Sequence, residues 1–253
     1  MQLDQEDYID EPVDYEPAFF RATRFWPSNP TAEPKELFAH SLSEFRSCSV
    51  VSSRPARLVR FDAPDDEILL YTSASCLNQH EALDTTTRSA ACAGIFKPTG
   101  LHPSVSRAFC LRLEHRGPQG GFHAQESNRA HLRAAIAALQ YRPWASEGWS
   151  RVIVASDSEY LVEGITNWVE IWQSNGWVTA DQAGYGREGD PVANRDLWEL
   201  LIREIEERAR RGIEVKFWLI LHAQNMEAHA EARAGAEALK AEEYFTPLRG
   251  LEA

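Results

Sequence analysis

The sequence lacks an excess of positive charge, a long apolar run and closely spaced cysteines, and each absence excludes a class of protein. Lysine and arginine number 26 against 38 aspartates and glutamates, and the formal charge of −12 disfavours non-specific attraction to phosphate backbones. No apolar run is long enough to span a bilayer, and the acidic start lacks the basic and apolar regions of a signal peptide. The four cysteines form no CxxC pair and are expected to be reduced thiols. These features predict a soluble intracellular protein of the nucleus or cytoplasm, with no membrane contact.

The length of 253 residues suits one main domain with an appendage. Residues 1–18 are dense in aspartate and glutamate with interspersed proline, which predicts an acidic flexible tail. Residues 19–66 mix aromatics, prolines and a short amphipathic stretch, and we expect this extension to pack on or near the core. The main domain is predicted over residues 67–240, and residues 241–253 form a C-terminal tail.

Hydrophobic periodicity predicts an alternation of strands and helices in the main domain. The first three strands read as an antiparallel meander. The predicted strands cover 67–73, 91–96, 109–115, 151–156 and 214–220, and the predicted helices cover 128–141, 158–165, 168–174 and 196–211, followed by an alanine-rich closing helix. Ser127 is placed to cap the first helix. Breaker residues predict an exposed loop over 184–191.

Motifs at the ends of these elements resemble those of type 1 ribonuclease H, in family order. YTSASCLN at 71–78 resembles the first-strand motif YTDGSCxN, and SNRAHLRAAIAAL at 127–139 resembles the helix motif NNRAELxAxxxAL. Segments 152–177, 192–201 and 225–232 complete the series, and the spelling is closer to filamentous-fungal members than to bacterial ones. The resemblance implies an α/β, RNase H-like fold, with a five-stranded mixed sheet flanked by helices, preceded by the N-terminal extension.

In this family, four carboxylates hold two magnesium ions about 4 Å apart. The matching positions here are Ser73, His131, Asp157 and His229, so three of the four carboxylates are replaced. Four carboxylates would supply a charge of −4, whereas this set supplies −1, and imidazole and a neutral hydroxyl are poor magnesium ligands. The resemblance therefore implies that both magnesium ions are lost, that no cofactor is required and that none of the four degenerate positions is catalytic.

Other readings of these positions stay open. His131, Asp157 and His229 form a ligand set that zinc or a similar metal accepts, although a site abandoned by its metals also fills readily with neutral hydrogen bonds. Asp157 alone has a purely structural reading as the cap of the helix that starts at Ser158.

Positions that match the family's nucleic-acid contacts are only partly kept. Ala124 and Glu126 replace an arginine and a threonine of the phosphate pocket, and a carboxylate repels a phosphate. The positions that could still contact nucleic acid are Gln79, Asn128, Asn194 and the tryptophans Trp168, Trp172 and Trp177 of the helical segment called the handle. Three large aromatics at helical spacing also suit core packing. The handle lacks lysines, so weak or no binding of RNA-DNA hybrids is expected.

These observations predict a catalytically inactive pseudoenzyme that acts as a scaffold or adaptor. Its protein partner is expected to bind the N-terminal extension or the tryptophan-rich handle, because aromatics are common interface anchors. One alternative is a ribonuclease that cuts RNA in RNA-DNA hybrids with an unusual metal site. Another is a non-catalytic reader of hybrids or double-stranded RNA.

Overall fold

A mixed β-sheet forms the centre of the protein in the computed structural model, which describes residues 22–40, 57–60, 66–78, 87–97, 107–179 and 189–248. The predicted acidic tail, Gln79 and most of the predicted loop at 184–191 lie outside the described residues. The strands are β1 (Thr23–Arg24), β2 (Phe38–His40), β3 (Leu58–Arg60), β4 (Glu67–Leu77), β5 (Ser89–Ile95), β6 (Ala108–Arg112), β7 (Arg151–Ser156) and β8 (Glu214–Leu219).

The five predicted strands are neighbours in this sheet in the order β6-β5-β4-β7-β8. Strands β4, β5 and β6 form the antiparallel meander, and β4, β7 and β8 run parallel. Three short strands of the extension enlarge the sheet: β1 pairs in parallel with β8, β3 pairs antiparallel with the start of β4, and β2 pairs antiparallel with β3. Within the described residues the sheet therefore has eight strands where five were predicted, because strands of two or three residues are too short to show a period of two.

The helices are α1 (Pro34–Leu37), α2 (Ser127–Gln140), α3 (Glu159–Glu163), α4 (Val169–Ser174), α5 (Arg195–Arg210) and α6 (Met226–Ala238). One π-helical turn, Gly164–Trp168, joins α3 to α4. A Cβ atom at Gly164 would lie 2.2 Å from the Trp198 indole, so only glycine fits there. The predicted cap of α2 is wrong, because Ser127 is the first helical residue and Glu126 holds the N-cap position without a side-chain bond.

Alternate residues of the central strands face two different hydrophobic clusters, as the pleat requires. Leu70 packs with apolar residues of α2, α3 and α5, whereas Leu69 lies on the opposite face. On that opposite face, Phe25 and Phe38 of the extension pack against Trp218, with ring centroids 4.9 and 6.4 Å away. The extension thus supplies part of the core.

Two buried ion pairs fix the position of α2. The Arg133 guanidinium donates to both Glu114 carboxylate oxygens at 2.7 to 3.1 Å, and the two side chains are 1% and 6% exposed. Arg129 makes a similar two-pronged contact with Asp196, at 2.8 and 2.7 Å, which ties α2 to the start of α5. Removing one partner of such a pair leaves an uncompensated buried charge.

Candidate active site

The candidate site lies where the parallel strands β4 and β7 run side by side. Ser73 is fully buried on β4, and Asp157 directly follows the last residue of β7. The strand register pairs Thr72 with Ser156, which places the next residue of each strand close together. The Ser73 hydroxyl accordingly donates to Asp157 Oδ1 at 3.2 Å.

Two further side chains hydrogen-bond to the Asp157 carboxylate. Asn225 Nδ2 lies 2.8 Å from Asp157 Oδ1 and also donates to the Thr72 carbonyl oxygen at 2.9 Å. His222 Nδ1 lies 2.5 Å from Asp157 Oδ2 and is the donor, because a carboxylate can only accept. Burial raises the pKa of Asp157, but the hydrogen bond from His222, the nearby His131 and the bond from Asn225 together bring it below its ordinary value. The carboxylate is therefore ionised at neutral pH.

Three imidazoles surround this carboxylate. The His222 and His229 rings meet edge to face with centroids 4.6 Å apart. His131, on α2, interacts electrostatically with Asp157 and with both other histidines, and burial lowers the pKa of His131 to about 4, so this ring is neutral at pH 7. Its Nδ1 is buried without a hydrogen-bond partner. The structure thus gathers all four predicted positions, Ser73 included, around one point.

The donor set does not fit two magnesium ions. Asp157 is the only carboxylate among the four matched positions, and both of its oxygens already accept hydrogen bonds. Magnesium demands hard oxygen ligands in near-octahedral geometry, which one hydroxyl and two imidazole rings do not supply. As the described side chains stand, no three histidine, cysteine or acidic groups form a set that could hold a metal ion.

Sequence reasoning missed His222 and gave Asn225 no role. Both residues follow β8, which is parallel to β7, so they belong to the edge of the sheet where Asp157 lies. Polar residues just after the carboxyl ends of neighbouring parallel strands commonly converge on one site, and that signal was available. The capping role suggested for Asp157 is wrong, because Ser158 is the N-cap and its hydroxyl accepts from the Leu161 amide at 3.2 Å.

The three handle tryptophans differ in exposure. Trp177 is buried, with a left-handed φ of 67°, and Trp172 is half-buried with its ring 5.5 Å from that of Trp198. Trp168 is 38% exposed. Of the three, only Trp168 presents a large accessible ring, and packing explains the other two.

The remaining predicted contact positions lie around the start of α2 and α5. Ala124 and Asn128 are exposed. Glu126 is also exposed, and its Oε1 lies 3.9 Å from a guanidinium nitrogen of Arg88. Asn194 adopts a left-handed φ of 59°, and its side-chain oxygen accepts a hydrogen bond from Arg129 at 3.2 Å. The Asn194 side chain is therefore already used within the protein.

A family model described as RNase H matches residues 65–237. Ribonuclease H of Paracoccus denitrificans (strain Pd 1222) is 36% identical over 132 residues, which are 51% of this chain and 75% of that protein. Ribonuclease HI of Vibrio cholerae serotype O1 (strain ATCC 39315 / El Tor Inaba N16961) is 37% identical over 107 residues, which are 42% of this chain and 59% of that protein. These relatives are bacterial, and the fungal character of the motifs stays a prediction.

Solved structures that match this chain in a structural comparison include LC9-RNase H1, a type 1 RNase H with the type 2 active-site motif. It is 25% identical, with a TM-score of 0.46 over 71% of this chain and 76% of the other. The PFV RNase H domain is 16% identical, with a TM-score of 0.45 over 67% of this chain and 93% of the other. None of the described helices is both long and apolar enough to cross a membrane.

Proposed function

Because this chain belongs to the RNase H family, we propose that it is a pseudoenzyme that has lost two-magnesium cleavage and serves as a protein-binding scaffold. The observation that supports the loss is the state of Asp157. This single carboxylate accepts hydrogen bonds from Ser73, Asn225 and His222, so the protein's own side chains use both of its oxygens. Magnesium would have to displace these hydrogen bonds, which makes its binding less favourable.

Restoring the carboxylates tests this proposal directly. The variant Ser73→Asp/His131→Glu/His229→Asp returns the charge of the four positions from −1 to −4, and we expect it to cut a labelled RNA-DNA hybrid in the presence of magnesium. The native chain should leave the hybrid intact with magnesium or manganese. The matched control adds Asp157→Asn to the restored variant and should be inert, because the two-metal mechanism needs every carboxylate. Circular dichroism must first show that both variants are folded.

The competing function is that of a hybrid-cutting ribonuclease with an unusual metal site, which the names of the relatives favour. On this reading the native chain cuts the hybrid, a chelator stops it, and Asp157→Asn abolishes the activity. That result would refute the loss of cleavage. A non-catalytic reader of hybrids would instead bind at low salt and release as salt rises, although the charge of −12 opposes such binding.

The scaffold part of the proposal rests on exposed large side chains of the extension and of the handle. Trp26 is 70% exposed, Trp168 38% and Ile171 56%, and we call these three residues the Trp26 surface. Arg24 links the extension to α3, since its guanidinium lies 4.3 Å from the Trp26 ring centroid and pairs with Glu163. Exposed tryptophans stiffened by neighbouring side chains are effective anchors for a partner protein.

Point substitutions test this surface better than a deletion, because removing the extension would also remove β1, β2 and β3. We expect Trp26→Ala/Trp168→Ala to lose a partner that the native chain co-precipitates. The matched control is Phe122→Ala, which removes a ring that is 66% exposed elsewhere on the protein. Equal recovery of the partner by all three proteins would refute the role of the Trp26 surface.

A further inference from the structure

The residues that follow α6 run back over α2, and we call residues 239–248 the C-terminal strap. The carbonyl oxygen of Glu243 accepts a hydrogen bond from the Arg116 amide at 2.9 Å. The carbonyl oxygen of Thr246 accepts one at 2.8 Å from Nη2 of Arg133, a buried arginine of α2. The backbone of the strap is therefore anchored to α2 and to the loop that follows β6.

Thr246 has the surroundings that a protein kinase requires of its substrate. Both Thr246 and Pro247 are exposed, and the strap contains neither helix nor strand. Thr246 is also the one serine or threonine of the sequence that a proline follows directly. Proline has a fixed φ and no N–H, so it suits a kinase whose substrate groove offers no acceptor at that position. These features favour a kinase of the proline-directed class.

The strap also forms one wall of a groove with a volume of about 680 Å³. Phe245 and Pro247 both line this groove, so Thr246, between them, stands at its rim. The other walls carry three arginines and two glutamates, Arg142, Arg208, Arg211, Glu204 and Glu207. Their formal charge is 3 − 2 = +1, in a chain whose total charge is −12. The groove is thus a cationic spot on an acidic protein, and its charge suits an anionic group.

Two arginines of the groove keep donors that their carboxylate partners do not use. Arg211 donates to Glu207 through Nε and Nη2, at 2.8 and 2.7 Å. Arg208 donates to Glu204 through Nη2 at 2.9 Å. A guanidinium has five N–H donors, so the Nη1 of each side chain is left over from these pairs. Arginine and phosphate form strong, charge-assisted hydrogen bonds that are often two-pronged, so a phosphate group is an anion that these donors fit.

We propose that a proline-directed protein kinase phosphorylates Thr246 and that the arginines of this groove bind the resulting phosphate. The Thr246 Oγ forms a bond to the γ-phosphorus of a nucleoside triphosphate, the bond from that phosphorus to the bridging oxygen breaks, and the nucleoside diphosphate leaves. The kinase takes up the proton of the hydroxyl. The phosphate brings a charge of about −1.5 to −2 at pH 7, and it would fasten the strap to α5 as well as to α2. This modification goes beyond the proposed scaffold function, which requires no covalent change.

Treatment of the full chain with a purified proline-directed kinase, ATP and magnesium tests the first half of the proposal. Mass spectrometry should find one added phosphate per chain and locate it at Thr246. Pro247→Ala should take up much less phosphate, and Thr246→Val none. The matched control is Thr31→Val, which removes an exposed threonine that no proline follows and should be phosphorylated like the native chain. Phosphate at another residue, or none on the native chain, would overturn the proposal.

Titration of the phosphate by phosphorus-31 NMR tests the second half. The second pKa of the group should be about 6 in a synthetic phosphopeptide of residues 242–248 and about 5 or lower in the folded chain, because neighbouring arginines favour the dianion. Arg211→Gln should raise this pKa toward the peptide value. The matched control Arg210→Gln removes an exposed arginine that lies outside the groove lining, and it should leave the pKa unchanged. A phosphate that titrates as it does in the peptide, or an equal rise in Arg210→Gln, would refute binding in the groove.

Discussion

The pKa of His131 predicts that acid destabilises the protein in part through this residue. In the unfolded chain this imidazole takes up a proton below its ordinary pKa of 6.5, whereas burial in the folded protein lowers the pKa to about 4. Between these two values the unfolded state binds more protons than the folded state. The free energy of unfolding is therefore unaffected by this group above pH 6.5 and falls as the pH drops from 6.5 to 4.

The size of the effect follows from the two pKa values. Proton linkage gives a loss of about 2 kcal/mol at pH 5 and a limit of about 3 kcal/mol below pH 4, a large share of the stability of a typical domain. His131→Gln keeps a polar side chain but removes the titration. We therefore expect the variant to lose about 2 kcal/mol less than the native chain between pH 7.5 and pH 5.

Urea unfolding followed by tryptophan fluorescence measures this difference, with a chelator present so that no metal ion contributes. Burial also lowers the pKa of His123, but this residue is common to both proteins and its contribution cancels in the comparison. The matched control is His115→Gln, which makes the same substitution at an exposed histidine. Parallel pH profiles for the native chain and His131→Gln would refute the reasoning.

Three other substitutions have definite expected outcomes. Arg133→Ala should lower the free energy of unfolding by about 3 to 5 kcal/mol, because it leaves the buried Glu114 carboxylate without its partner. Arg233→Ala removes an exposed ion pair and should change this free energy by less than about 1 kcal/mol. A similar loss in both variants would contradict the role of burial. Gly164→Ala should lower the free energy of unfolding by about 1 to 3 kcal/mol, because the added methyl group would clash with the Trp198 indole. An unchanged free energy of unfolding would mean that the helix shifts to make room for the methyl group. Asn225→Ala should raise the pKa of Asp157, because the carboxylate loses one hydrogen bond that stabilises its charged form. NMR of the Asp157 carboxyl carbon measures this pKa. An unchanged value would exclude a contribution from the Asn225 hydrogen bond.

The periodicity of the sequence predicted the central strands and the larger helices to within a few residues. Strand β7 was predicted with the correct bounds, Arg151–Ser156, because it is a short apolar run buried on both faces. The prediction stopped β4 four residues early, because the small residues from Ser73 to Cys76 interrupt the apolar run, although the strand pairs with β5 up to Leu77. The strands of the extension had no usable signal, since their pairing with β8 and β4 depends on distant parts of the chain.

The sequence motifs predicted which positions belong to the candidate site, but not the contacts that their side chains make. The matched motifs placed Ser73 and Asp157 on neighbouring strands, and the structure adds that they share a hydrogen bond. The motifs could not reveal the partners of the carboxylate, because His222 is an unremarkable residue until the fold brings it within 2.5 Å of Asp157. They also could not show that the Nδ1 of His131 would be left alone, since that depends on what the surrounding elements leave unfilled.

The packing of Phe25 and Phe38 against the sheet limits how far the chain can be truncated from its N-terminus. Similarity to the family begins at residue 65, yet a fragment starting there would uncover Trp218 and Leu69 and leave the outer edge of β8 unpaired. A bare strand edge beside an apolar face is a template for association between chains. The region of family similarity and the smallest unit with a covered core thus have different boundaries, and we expect a fragment chosen by homology alone to precipitate or oligomerise more readily than the whole chain.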